Sequence, residues 1–173
     1  MEGTIKRMNS NFLVEAELGR LDWGKMQCSH GPATKVPEAI RELLAAGNPQ
    51  EADRAYWKLE NVVVVQGQLY ESALYVVPVI LAALIETERP RFVRISLQGL
   101  LFEIVNGSPH AEEEARGFGD LGERCKDAAR QGLWLLYRDL SEAEFESNGY
   151  LIDILDPDKS RLEYLVEGLE KKR

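Results

Sequence analysis

The stretch NVVVVQGQLYESALYVVPVILAALIE, Asn61 to Glu86, decides how the chain is read. It opens with four valines and carries a proline, Pro78, inside an apolar run. The longest unbroken apolar segment in it is the thirteen residues from Ala73 to Ile85. That is too short to span a bilayer and reads as a buried helix. Val62 to Val65 has strand propensity but stands alone, and a lone strand leaves its backbone unpaired. The sequence leaves open whether those valines are helical or extended. Gly67 relieves the backbone before a long helix, which Pro78 interrupts by removing one amide. Apolar residues on nearly every side make that helix a central one.

The flanking sequence reads as further helices. Asn48, Pro49 and Glu51 spell an N-cap, a first-turn proline and a capping acid. Asp120 with Glu123, and Ser141 with Glu144, repeat the pattern. Asp156–Pro157, Pro90 and Pro109 mark other starts, and Glu38 follows Pro37 where it suits a helix dipole. Apolar stripes recur with a period near 3.6. Ile40, Leu43 and Leu44 make one; Val93, Leu97, Leu100 and Ile104 another. Cys125, Ala129, Gly132, Leu133, Leu136 and Leu140 make a third.

These segments pair as hairpins: Glu38–Gly47 with Gln50–Asn61, Gln68–Glu86 with Arg91–Asn106, and Asp120–Leu140 with Glu142–Leu155. A last helix starts at Asp158. The expectation is an all-α chain of 173 residues in one helical domain: a loosely periodic segment, 1–36, and then a short α-solenoid of about three hairpins plus a C-terminal helix, 37–173. Phe12, Leu13, Leu18, Leu21 and Trp23 are the expected anchors of the first segment.

Charge and motifs narrow the function. With 29 acidic and 21 basic residues the net charge is -8, and no basic stripe is present. A grip on nucleic-acid phosphates is not expected. Nor is a signal peptide, since Met1 to Ala16 holds charges and asparagines where its apolar core would lie, nor a membrane, since the apolar run is too short to span one. Two cysteines, Cys28 and Cys125, fit a reduced cytoplasmic protein. Cys28, His30, His110 and Cys125 would together make four zinc ligands, but spacings of 80 and 15 residues match no finger or ribbon, and Cys125 reads as core. Carboxylates are abundant but unranked, and there is no phosphate loop, dinucleotide fingerprint or nucleophile elbow. No cofactor, metal or catalytic residue is expected.

The segment Val77–Glu86, then Glu88-Arg89-Pro90, then Phe92–Leu101 resembles a HEAT-like repeat. In such repeats an apolar first helix with a proline leads through a charged turn to a second helix with an arginine, here Arg94. The 125–155 region is a looser match. Tyr56–Asn61, Gln66–Tyr70 and Gly132–Arg138 are similar to segments of small bacterial HEAT-like proteins, some relatives of which are immunity partners of toxins. The resemblance implies a non-catalytic protein that binds a protein partner, in its most specific form a cationic toxin domain. A general adaptor binding a peptide or protein is the alternative, and an enzyme using carboxylates a further one.

In a helical stack the inner layer of helices is the binding surface. The candidates there are Tyr56 and Glu60 with Trp57, then Arg91, Arg94 and Gln98, then Glu146, Asn148 and Asp153 with Tyr150. Arg94 could equally bridge to Glu88. The acidic run Glu112, Glu113, Glu114 is expected on a long loop, 107–119, where it would steer a cationic partner.

Overall fold

The computed structural model describes residues 11–140 and 145–171, without the side chains of 145–147, 169 and 170. Ten helices and five two-residue strands make up its regular structure. The chain is all-α in class.

Helix α1 (Phe12–Gly19) leads through a 3₁₀ turn, Trp23–Lys25, to a small hairpin, β1 (Gln27–Cys28) and β2 (Gly31–Pro32). Val14, Leu18 and Trp23 anchor this segment in the core. The Trp23 indole N–H donates to the Leu18 carbonyl at 2.9 Å. Phe12 and Leu13, expected as anchors, are exposed, because α1 buries its other face through Val14 and Leu18.

Helices α2 (Val36–Ala45) and α3 (Pro49–Val63) form the first packed pair. The Asn48 side chain caps α3 by accepting from the Glu51 amide at 2.9 Å. Glu51 returns the bond one residue further out, to the Gly47 amide at 2.8 Å. That amide, with Asn48, holds the Glu51 carboxyl below its ordinary value.

The valine run resolves in two parts. Val62 and Val63 finish α3, and Val64–Val65 is an extended strand, β3. Strand β3 is not alone. Val64 pairs with Leu69 and Val65 with Gln68 of β4, antiparallel across a two-residue turn. Gln66 and Gly67 sit at φ 51° and 77°, the left-handed pair that a tight type I′ turn requires. A third strand, β5 (Ser108–Pro109), then lies parallel to β4. Gly107 permits this, since a Cβ there would fall 2.6 Å from the Leu69 side chain.

Helix α4 (Glu71–Leu84) therefore begins three residues later than the pattern predicts. It contains Pro78, and nine of its residues are buried. It packs against α1, α5 (Arg91–Asn106) and α7 (Leu121–Arg130). Helix α5 has the predicted bounds and packs in turn on α3, α4, α7 and α9 (Phe145–Leu155). The α4–α5 pair thus lies between the α2–α3 pair and the later helices. Arg89 ties the turn between them to α1, donating to the Ala83 carbonyl and to Asn11.

The expected 120–140 helix is two helices, α7 and α8 (Leu133–Asp139). The break falls at Gly132, where a Cβ would lie 2.3 Å from Leu81. The backbone passes so close to α4 there that no side chain fits. The 107–119 interval is not a loop throughout. It holds β5 and the short helix α6 (Ala111–Ala115). His110 caps α6, its Nδ1 accepting from the Glu112 amide, and its ring stacks on Tyr70 at 4.9 Å. Helix α10 (Lys159–Glu170) closes the chain against α9. The Ser141–Glu144 cap lies outside the described residues. One buried cluster runs from Val14 to Leu155. Among the described residues no helix is long and apolar enough to cross a membrane.

Candidate functional site

Four of the expected contact residues, Arg94, Gln98, Glu113 and Asn148, are interior. Arg94 and Gln98 face away from solvent on α5, and both reach Asp139 at the end of α8. The Arg94 guanidinium meets Asp139 at 2.9 Å, and the Gln98 amide lies 3.4 Å from the same oxygen. Arg138 holds the other oxygen at 2.8 Å and also donates to the Leu84 carbonyl. The expected bridge from Arg94 to Glu88 is replaced by this interhelical one. Residues 94 and 98 are one turn apart, but their shared face points at α8.

Asn148 is also interior, fully buried on α9 with Leu151, Ile152 and Leu155. Its amide oxygen and nitrogen make no hydrogen bond among the described residues. Glu113 is buried and paired to Arg116, which also reaches Glu71. Glu112 and Glu114 are exposed on α6. Asp153 is exposed and paired with Lys159 at 3.3 Å. Arg91 is exposed at the start of α5. The Glu146 side chain lies outside the described residues.

One strip of the surface lies between α3 and α5. Asp53, Tyr56, Trp57 and Glu60 share one face of α3, at spacings of three and four residues. The Tyr56 ring leans over Gly99 of α5 and meets the Trp57 ring edge-on, with centroids 5.4 Å apart. Trp57 is 51% exposed. Glu103 follows one turn after Gly99 on α5, near enough for its charge to be felt at Glu60. Partial burial raises the Glu60 carboxyl above its ordinary value, and the Glu103 charge adds to the rise. Burial, then Glu103, Glu60 and Asp53, push the Tyr56 hydroxyl up to about 12. Glu60 and Glu103 have no ion pair among the described residues.

A second surface lies where α8 meets α10. Trp134 and Tyr164 are 67% and 78% exposed, with Leu165 beside them. Arg161 lies 5.1 Å over the Trp134 ring. It is positioned from below by Asp156, at 2.8 Å. Asp156 is buried and accepts from the Tyr137 hydroxyl at 2.7 Å. Burial pushes the Asp156 carboxyl up, but Tyr137, the Asp158 amide and Arg161 outweigh it and leave it below the usual range.

Cys28 and His30 border a concavity of about 570 Å³ with Thr34, Lys35, Val36 and Val62. The thiol donates to the Pro32 carbonyl, and the imidazole Nδ1 meets Ser29 at 2.5 Å. Burial pushes the Cys125 thiol up to about 12, as a core residue on α7 would have it. Among the described residues no three His, Cys, Asp or Glu side chains group as metal ligands do.

Tyr56 and Glu60 are thus brought together with two residues that the sequence reading did not single out, Glu103 and Gly99. Glu103 lies five positions from Gln98, so taking its outward face from Arg94 and Gln98 hid it. No family model, curated protein or solved structure matches the chain.

Proposed function

We propose that the chain is a non-catalytic protein-binding module of the cytoplasm. The observation that carries this reading is the placing of large aromatics outside a well-packed core. Trp57 on α3 and Trp134 and Tyr164 on α8 and α10 are exposed while the aliphatic residues between the helices are buried. Exposed tryptophan and tyrosine set beside charged groups are the anchors that protein interfaces use most. The most specific form of the reading is an immunity protein that sequesters a toxin domain. It rests on the HEAT-like resemblance and on a net charge of -8, which favours a cationic partner.

The test is capture of the product of the adjacent gene, followed by calorimetry and an activity assay of that product. A one-to-one complex of nanomolar affinity that silences the partner supports the immunity form. Weak binding to several proteins supports the adaptor form. No binding to any protein overturns the reading.

A further inference from the structure

We propose that the surface strip between α3 and α5 that carries Tyr56, Trp57, Glu60 and Glu103 seats a single arginine side chain of a protein partner. The proposal rests on the protein-binding reading above and names what that surface takes.

Three features converge on a guanidinium. The first is an aromatic wall. Tyr56 and Trp57 stand edge to face at 5.4 Å, and Trp57 is half exposed, which leaves indole surface for a cation to lie against. The second is charge. Glu60 and Glu103 approach from neighbouring helices, and among the described residues nothing cationic answers them. Carboxylates on α1 and α2 do have a cation: Glu15 meets Arg41, and Glu42 meets Lys58 of α3 itself. The third is partial burial, which strengthens any ion pair formed there relative to one in open water.

Arginine fits better than lysine. Its planar fork can bond two carboxylates while its face lies on an aromatic ring, which a compact ammonium cannot do together. A cation entering between Glu60 and Glu103 offsets the repulsion between their charges.

The experiment is an NMR titration of the full chain with Nα-acetyl-arginine amide, with the citrulline analogue as the neutral isostere. The Trp57 indole and Gly99 amide signals are followed. The arginine probe is expected to shift both with millimolar affinity, citrulline to shift neither, and the Glu60→Gln, Glu103→Gln double variant to bind about tenfold more weakly, about 1.4 kcal/mol. That variant removes a repulsion, so its melting temperature should hold or rise. Equal shifts with citrulline, shifts centred on Trp134, or no shift at all overturn the proposal. The two readings fail separately. A partner bound equally well by the double variant removes the arginine seat and leaves the binding role. A probe seated at Trp57 in a chain that binds no protein supports the seat and removes the role.

Discussion

The Arg94 guanidinium and the Asp139 carboxylate meet at 2.9 Å with only 8% and 3% of their side chains exposed. They join the middle helix of the structure, α5, to the end of α8. A buried pair of this kind is harder to break than to replace. Asp139→Ala removes the buried anion that Arg94 and Arg138 share, and should destabilise the chain by about 3–5 kcal/mol. Urea denaturation checks this. A loss below about 1 kcal/mol, the size of a surface pair, would show the bridge to be solvent-screened.

Core truncation separates two leucines that the sequence pattern treats alike. Leu97 is buried on α5, whereas Leu133 at the start of α8 is only partly so. Leu97→Ala should destabilise by about 2–5 kcal/mol, and Leu133→Ala by clearly less. Leu136 is fully buried and should behave as Leu97 does. Equal losses at 97 and 133 would contradict the packing at the α7–α8 break.

Gly132→Ala should destabilise by about 1–3 kcal/mol, because its Cβ would strike the Leu81 side chain. Shortening that side chain gives the matching test. In a double-mutant cycle with Leu81→Ala the two losses should be less than additive. Strict additivity would mean that the residues do not touch.

Two carboxylates pull the pH profile in opposite directions. The folded value of Glu60 is raised, so folding favours its protonated form. Its contribution is present below the unfolded value and lost as pH rises through the raised folded one. The group facing it from α5 is Glu103, with Tyr56 and Asp53 on its own helix. Glu60→Gln should flatten that loss. The folded value of Asp156 is lowered, so its contribution is present above the unfolded value and lost as pH falls through the folded one. Tyr137→Phe removes its hydroxyl partner and should cost about 1–3 kcal/mol near neutrality. It should also move acid unfolding to higher pH. Chemical denaturation at stepped pH reads both.

Much of the helical layout was legible in the sequence, for identifiable reasons. The bounds of α5 follow from Pro90 and an apolar stripe of helical period, and the start of α3 from its asparagine cap, while its end at Val63 was left open by the valine run. The central position of α4 follows from apolar residues on all its faces. The β3–β4–β5 ribbon was not legible. Its strands are two residues long, too short for alternation to register, and β5 pairs with a segment forty residues away in sequence. Gln66–Gly67 lacks the asparagine or aspartate that usually announces the turn. The helix break at 131–132 depends on contact with Leu81, which no local pattern records. The contact strip failed in part for a similar reason. Arg94 and Gln98 are polar and helically spaced, and periodicity alone assigns such residues outward. Their buried partner is supplied by α8, and so the outward strip runs instead through Ile95, Gly99 and Glu103. Tyr56 and Glu60 were legible because they flank a face whose opposite side, Ala52, Ala55 and Leu59, is unmistakably apolar.

The most direct measurement is calorimetric titration of the captured partner against the wild-type chain, Trp57→Ala and Trp134→Ala. The account predicts that Trp57→Ala weakens binding by at least about tenfold, as truncation of an interface anchor does. Its melting temperature should stay within the small range of surface substitutions. Unchanged affinity in both tryptophan variants would contradict the claim that these exposed aromatics are a binding surface.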